Sequence, residues 1–440
     1  DLKIVYSPLH GTGLTSVDPI FKKLGFDVTL DPATSNLSGA FENVTFNIPN
    51  PEVVESFDAS LPFAEEMDAD ILISTDPDAD RIGVMLKHNG SWEFLSGNEI
   101  GIILTQYAIS KYKAQGRLNP QNVIIKTDVT TSLIQKIADE NNVQCIGNLL
   151  VGFKYIGDLM NKIESESRIE HFILGTEESH GYLMGNYARD KDAACAAVWI
   201  SEHAAELKKK NKTLLDDLAE IYARYGYCHN YLTEIRLLGA KGMEQIMFIM
   251  NHLRDTRIDS FGDFKVRHKI DRRDGEPQPH LSRTDSSARN MLIYYMEDTP
   301  DTTSMRMTVR PSGTEPKIKM YFEVFGKPFK LENIDSEKER VINIRRNLEK
   351  SVMQYCYQLL DVDFPDRGFL LFWQLPLNDK LKYFEIEAEI TRLKSVSDTN
   401  ERKEKLFALL EFLGANPIQK IDKAFEAKYQ TGILEYLKLS

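Results

Sequence analysis

Strand-like and helix-like segments alternate along the chain up to Gly226, and this alternation restricts the fold more than any other feature of the sequence. Lys3–Tyr6 and Phe26–Leu30 have strand character, and residues 15–24 between them carry apolar side chains at helical spacing. Two apolar strands then bracket an acidic loop, and a helix is predicted around residues 97–114. Such alternation is typical of α/β domains whose sheet is largely parallel.

The same pattern restarts after Pro120 and then changes twice. A second α/β segment ends near Gly226, and a third segment mixes strands with helices near residues 241–254 and 336–360. Beyond Pro365 the sequence becomes amphipathic and rich in Lys and Glu. We therefore expect two consecutive α/β domains with mixed sheets, an α+β C-terminal domain and a helical tail. The expected boundaries are 1–118, 119–227, 228–362 and 363–440.

Length, charge and cysteine spacing limit the class of protein. The 440 residues exceed what one hydrophobic core usually holds. Asp and Glu outnumber Lys and Arg by 66 to 54, so the net charge of −12 provides no overall attraction to nucleic acid or an anionic membrane. No apolar stretch approaches the roughly 20 residues that span a bilayer. The four cysteines are far apart, which predicts buried thiols in a reducing compartment. We therefore predict a cytoplasmic protein with a small-molecule or protein partner.

The most specific local signal is an acidic loop between two apolar strands. Asp76, Asp78 and Asp80 alternate along a segment expected to be extended, which would place three carboxylates on one side. Carboxylate oxygens suit a hard divalent cation, and Mg²⁺ is the natural candidate. An EF-hand is excluded because Arg81 and Lys87 occupy its Gly and Glu positions. A solvated acidic turn is the alternative.

A second polar loop, Gly175–Tyr182, directly follows an apolar strand. Glu177 and Glu178 can accept hydrogen bonds from hydroxyls, and Ser179 and His180 add further donors and acceptors. This combination suits adjacent hydroxyls of a sugar. An acidic helix N-terminus is an equally good interpretation of the loop by itself.

A third loop, Arg310–Pro316, lies between two predicted strands. Arg310 supplies a guanidinium fork, Ser312 and Thr314 supply hydroxyls, and Gly313 exposes backbone N–H groups. Together these groups predict a phosphate-binding loop. A common turn between two strands is the alternative.

Taken together, in this order, the three loops resemble the α-D-phosphohexomutase superfamily of phosphoglucomutases and phosphomannomutases. The resemblance covers residues 1 to about 362. The Glu-Glu-Ser-His-Gly-Tyr form of the sugar loop is most similar to the longer bacterial phosphoglucomutases and their phosphopentomutase relatives. Further matching segments are Tyr6–Gly13, Pro49–Glu52, Ser96–Glu99, Val151–Lys154 and Arg189–Asp192.

The resemblance implies a role for each site residue. The aspartates at 76, 78 and 80 would bind Mg²⁺, and Arg81 would lie beside the phosphoryl group in transit. Lys154 and His10 would lie at the cleft, Lys154 as a phosphate contact or proton-transfer partner. Glu177 and Ser179 would bind sugar hydroxyls with Glu178 and His180 nearby. The residues that would clamp the non-reacting phosphate are Arg310, Ser312, Gly313 and Thr314.

The activity implied by the resemblance is interconversion of hexose 1-phosphate and 6-phosphate through a phosphoserine and a sugar 1,6-bisphosphate. The family's Thr-[Ala/Ser]-Ser-His-Asn-Pro phosphoserine motif does not occur in these residues, since the single Ser-His pair is Ser179-His180. We therefore expect a chain that holds three of the family's four domains, lacks the nucleophile and is inactive by itself. The alternatives are a non-catalytic sugar-phosphate-binding pseudoenzyme, a phosphopentomutase and a Mg²⁺-dependent phosphatase.

Overall fold

The computed structural model describes residues 2–274, 281, 285–313 and 315–439. The chain divides into two compact units. The first contains the residues up to Cys228 together with Lys327–Glu337, and the second contains most of the remaining chain.

A five-stranded sheet begins the first unit, in the order β2-β1-β3-β4-β5. β1 is parallel to its neighbours β2 and β3, whereas β4 is antiparallel to its neighbours β3 and β5. All five residues of β3 are buried, which is typical of a strand covered on both faces. The elements are β1 (Lys3–Ser7), α1 (Gly13–Leu24), β2 (Asp27–Leu30), α2 (Leu61–Glu66), β3 (Ile71–Thr75), β4 (Ile82–His88), β5 (Ser91–Leu95) and α3 (Gly97–Ala114).

A second sheet of the first unit has the order β7-β6-β8-β9. β6 is parallel to β7 and β8, and β9 returns antiparallel to β8. The elements are β6 (Val123–Thr127), α4 (Leu133–Glu140), β7 (Gln144–Leu149), α5 (Phe153–Ser165), β8 (Phe172–Glu177), β9 (Gly181–Met184), α6 (Ala193–Lys208) and α7 (Leu214–Tyr225). Thr213 and Asp216 form a reciprocal capping box that fixes the start of α7.

The second unit is built on a six-stranded sheet in the order β10-β15-β14-β13-β12-β11. The pairs from β11 to β15 are antiparallel. The elements are β10 (Cys228–Arg236), α8 (Gly239–Asp255), β11 (Ser260–Phe261), β12 (Phe264–Asp271), α9 (Asp285–Ala288), β13 (Leu292–Met296), β14 (Thr302–Pro311), β15 (Lys317–Gly326) and α10 (Ile334–Gln358).

The C-terminal residues of the second unit form helices with a hydrophobic core of their own. Their buried side chains include Tyr383, Leu406, Ile421 and Phe425. The helices are α11 (Leu377–Arg392), α12 (Thr399–Leu410), α13 (Pro417–Tyr429) and α14 (Ile433–Tyr436). We call residues 363–439 the C-terminal extension.

The predicted fold class is confirmed: two mixed α/β sheets are followed by an α+β sheet and helices. The prediction missed the short elements α2, β5, β9, β11, α9 and β13, and it also missed α7, an amphipathic helix of 12 residues. The expectation that all four cysteines are buried was wrong in part, because Cys145 and Cys195 are only half-buried free thiols. Within the described residues, no helix is long and apolar enough to cross a membrane. The four domain boundaries and the cytoplasmic location remain predictions.

The core of the C-terminal extension gives a test of the fold. Leu406 is fully buried, so its replacement in Leu406→Ala should destabilise the extension by about 2–5 kcal/mol through lost burial and the cavity left behind. Hydrogen–deuterium exchange across residues 363–439 during urea titration measures the change. Lys403→Ala, at an exposed position of the same helix, is the control. Equal protection in the two variants would contradict the assigned core.

Candidate active site

The three loop aspartates lie together at the carboxyl end of β3. Carboxylate oxygens of Asp76, Asp78 and Asp80 all lie within 4.8 Å of one another. Asp76 is buried, whereas Asp78 is exposed. Asp80 Oδ1 is buried and accepts no hydrogen bond from the described part of the chain. Three hard oxygen donors, one of them buried and unsatisfied, fit a divalent cation such as Mg²⁺.

The acidic loop is a tight turn, and the prediction of an extended segment was wrong. Asp76 Oδ1 accepts the backbone N–H groups of Asp80 and Arg81 at 3.1 and 3.0 Å. Ala79 has a positive φ of 57°, which reverses the chain between the second and third carboxylates. Turn geometry, rather than side-chain alternation along a strand, brings the three carboxylates together.

Arg81 connects this turn to a second loop of the same sheet. Its Nε donates to Asp76 Oδ2 at 2.5 Å, and Nη1 donates to Glu52 Oε1 at 2.9 Å and Asn50 Oδ1 at 3.2 Å. The guanidinium is therefore oriented by three acceptors. The sequence identifies Asn50 and Glu52 only as part of the Pro49–Glu52 segment that resembles the family. It assigns them no role, because their partner Arg81 lies about 30 residues away in the chain.

Burial raises the pKa of Asp76 to about 6, against the opposing effect of the Arg81 charge and hydrogen bonds. A bound divalent cation would add a further positive charge beside this carboxylate and favour its ionised form.

The sugar loop closes the hairpin between β8 and β9. Glu177 is the last residue of β8 and is paired with Gly181, so the polar segment begins inside the strand. Its Oε1 accepts the backbone N–H of Gly152 at 2.9 Å. Burial raises the pKa of Glu177 to about 7, with the neighbouring Glu178 charge adding to the effect. Glu178 and Ser179 are half-buried between Glu177 and the buried His180.

The acidic loop of residues 76–81, called the metal loop from here on, is joined to the sugar loop by backbone pairing. Arg81 and Gly181 form an antiparallel β-bridge, and the N–H of Ile82 donates to the carbonyl of His180 at 3.1 Å. The His180 ring returns a hydrogen bond from Nδ1 to the carbonyl of Ile82 at 2.9 Å. Burial lowers the pKa of His180. His180 therefore contacts Ile82 through both its backbone and its ring.

Lys191 is a site residue that sequence reasoning left without a role. Its Nζ lies 2.6 Å from Asp80 Oδ2, and its charge also acts on Glu177. A Cβ at position 181 would lie 2.5 Å from Lys191 Cδ, so Gly181 makes room for this side chain. The Arg189–Asp192 segment was a sequence signal for it, but its contact with the metal loop spans more than 100 residues.

His10 lies in a loop that packs against the metal loop. The N–H of Thr12 donates to the carbonyl of Pro77 at 2.8 Å, and a Cβ at Gly11 would lie 2.3 Å from Pro77 Cα. His10 Nδ1 donates to the carbonyl of Asn36 at 2.9 Å, while its buried Nε2 has no hydrogen-bond partner among residues 2–274 or the rest of the described chain. His10 is thus placed near the metal loop with one ring nitrogen available.

Lys154 lies at the N-terminal turn of α5, two residues after Gly152. Its Nζ lies 4.9 Å from the centroid of the Tyr155 ring. Because Gly152 binds Glu177, this helix start is anchored to the sugar loop.

The predicted phosphate loop connects β14 and β15 in the second unit. Arg310 is paired with Lys319 across the two strands, and the N–H of Ser312 donates to the carbonyl of Lys317 at 2.8 Å. Arg310 Nε is buried without a hydrogen-bond partner in the described structure, which fits an anion site. Gly313 is exposed at the turn, and Thr314 lies outside the described residues.

Similarity to known proteins covers both α/β sheets of the first unit. Residues 1–90 match the model of the phosphoglucomutase/phosphomannomutase α/β/α domain II, and residues 96–225 match domain III. The chain belongs to the α-D-phosphohexomutase superfamily. A phosphoglucomutase of Staphylococcus aureus is 33% identical over 327 residues, which are 73% of this chain and 56% of the relative. One from Staphylococcus epidermidis is 32% identical over 331 residues, with shares of 73% and 57%.

Solved structures of phosphohexomutases share the fold. The parafusin phosphoglucomutase of Paramecium in its open form has a TM-score of 0.53 at 16% identity, covering 83% of this chain and 59% of that one. A phosphoglucomutase/phosphomannomutase family protein of Burkholderia thailandensis has a TM-score of 0.51 at 16% identity, covering 78% and 61%. The chain thus spans less than two thirds of the length of these phosphohexomutases.

The raised pKa of Asp76 predicts that metal binding by this chain depends on pH. Because a cation needs the ionised carboxylate, Mg²⁺ affinity should fall as the pH drops through about 6, by up to about tenfold for each further unit. Titration calorimetry from pH 5 to 7.5 measures this dependence. Asp76→Asn should abolish binding, whereas the exposed carboxylate change Asp68→Asn should leave the profile intact. A flat profile in the unmodified protein would contradict the assignment.

Proposed function

We propose that this chain is part of a phosphoglucomutase-type isomerase that interconverts hexose 1-phosphate and hexose 6-phosphate. The observation that carries the proposal is the joining of the metal and sugar loops through the Arg81–Gly181 bridge and the Lys191–Asp80 ion pair. This arrangement would keep the sugar ring at a fixed distance from the cation site. A hexose phosphate is the proposed substrate and a sugar 1,6-bisphosphate the proposed activator.

The proposed chemistry depends on positioning and electrostatics. The cation held by the three aspartates would neutralise negative charge on the phosphoryl group. Arg81 would present a guanidinium already oriented by Asp76 and Glu52, so little reorganisation accompanies charge development. Lys154 and His10 are the further catalytic candidates, and His10 Nε2 is the ring nitrogen that could accept or donate a proton.

Substrate binding would use the buried glutamate of the sugar loop. A pKa near 7 lets Glu177 accept a hydrogen bond from a hydroxyl when ionised and donate one when protonated. The sugar loop would supply further hydrogen-bonding groups to the sugar from Glu178, Ser179 and His180. The loop of Arg310, Ser312 and Gly313 in the second unit would bind the phosphate that is not reacting, with Thr314 following in sequence.

Assay of the protein that contains this chain tests the proposal. With Mg²⁺ and glucose 1,6-bisphosphate, glucose 1-phosphate should be converted to glucose 6-phosphate. Glu177→Gln should lower kcat/KM by about 10²-fold or more, since it removes a buried group that binds a substrate hydroxyl. The exposed change Glu170→Gln is the matched control. The 440 residues alone should bind glucose 6-phosphate without turnover, because they contain no phosphoserine motif.

Other outcomes would favour other functions. Release of inorganic phosphate without a requirement for the bisphosphate would indicate a Mg²⁺-dependent phosphatase. Binding without interconversion by the complete protein would indicate a pseudoenzyme, and faster turnover of ribose 1-phosphate would indicate a phosphopentomutase.

A further inference from the structure

A second arginine lies beside the phosphate loop. Arg236 is the last residue of β10, and its Nη2 donates to Glu234 Oε2 at 3.1 Å. Its Nε is buried and has no hydrogen-bond partner within the part of the chain that the structure describes. Arg310 Nε is likewise buried and has no hydrogen-bond partner among the described residues. A buried guanidinium N–H without an acceptor is unfavourable unless a ligand supplies one.

Sheet geometry places Arg236 on the same side as the loop. β10, β15 and β14 are neighbours, and Arg310 on β14 is opposite Lys319 on β15. Lys319 Nζ lies 4.0 Å from Glu234 Oε1 on β10. Because alternate residues of a strand share a face, Arg236 projects from the same face as Glu234.

The end of β10 is also attached directly to the loop. The N–H of Leu237 donates to the carbonyl of Pro316 at 2.8 Å. The hydrogen bond from Lys317 lowers the pKa of Glu315, and the positive charge of Arg236 contributes to that shift. Arg236 therefore acts electrostatically on the loop itself.

The acidic partner of Arg236 is shared among several cations. Glu234 is 2% exposed, and Lys317 lies 3.6 Å from it in addition to Arg236 and Lys319. The buried Lys380 of the C-terminal extension also interacts with the Glu234 charge. Glu315 also pairs with Lys317, and the Glu349 charge also acts on Lys380. These three carboxylates are outnumbered by Arg236, Lys317, Lys319 and Lys380, so the cluster retains positive charge that favours an anion.

We propose that Arg236 is a second phosphate-binding arginine, which donates its Nε–H to the same hexose phosphate that the Arg310 loop binds. The inference rests on the proposed function, because it takes that loop as the phosphate site. Glu234 accepts a hydrogen bond from Nη2 of the guanidinium, and the Nε–H group remains for the ligand.

The test is calorimetric binding of glucose 6-phosphate at fixed ionic strength by the protein that contains this chain. Arg236→Gln should weaken binding by about 10- to 100-fold, as expected for loss of a charge-assisted hydrogen bond to phosphate. Arg310→Gln should weaken it similarly. Arg257→Gln, at an arginine of the same unit whose side chain is 91% exposed, should bind within about twofold of the unmodified protein.

A further variant separates binding from folding. Arg236→Lys keeps the positive charge beside Glu234 but lacks the fork, so it should remain folded by circular dichroism and show an intermediate affinity. Unchanged affinity in Arg236→Gln together with loss in Arg310→Gln would overturn this inference and leave the proposed function standing. Absence of glucose 6-phosphate binding in the unmodified protein would overturn both.

Discussion

The ion pair between Arg81 and Asp76 is the interaction on which the candidate site depends. Asp76 is buried at the end of β3, where an unpaired carboxylate would be strongly disfavoured. The guanidinium compensates this charge, and the turn adds two backbone N–H donors to the same side chain. With Arg81 fixed in this way, its backbone is available to pair with Gly181. One buried charge pair thus fixes the turn and the junction of the two loops.

Close packing around that junction explains the glycines of the neighbouring loops. A Cβ at Gly97 would lie 2.1 Å from the carbonyl oxygen of Glu178, and the hydroxyl of Tyr182 donates to the Gly97 carbonyl at 2.6 Å. The start of α3 therefore contacts the sugar loop through backbone atoms. A side chain at Gly97 would displace the sugar loop, and one at Gly181 would displace Lys191 from its position beside Asp80. Rigid contacts of this kind suit a site that works by positioning.

The sequence indicated individual candidate side chains, whereas it did not indicate the contacts between loops. The aspartates, Glu177 and Arg310 were identifiable because each directly follows or ends an apolar strand, where polar residues stand out. Lys191 and Glu52 received no role, since their partners Asp80 and Arg81 are distant in sequence and only the folded sheets bring them together. Apolar runs located β1, β3 and β6, whereas β5 and β13, which have the same length of five residues, were missed. The site residues without a role and the missed strands both depend on tertiary pairing, which a single sequence does not display.

The C-terminal extension has a hydrophobic core of its own, and charge interactions connect it to the rest of the second unit. Within it, Glu387 accepts both Arg367 and Lys428, so its buried carboxylate is compensated locally. Lys380 is different, because the opposing charges that act on it are Glu349 on α10 and Glu234 on β10. Burial lowers the pKa of Lys380 to about 8 despite these carboxylates. Glu234 is also the carboxylate that accepts a hydrogen bond from Arg236, so the charge of Lys380 acts on the same group. The extension therefore contributes to the electrostatic balance of the phosphate loop, although no residue of the family's loop motifs lies within it.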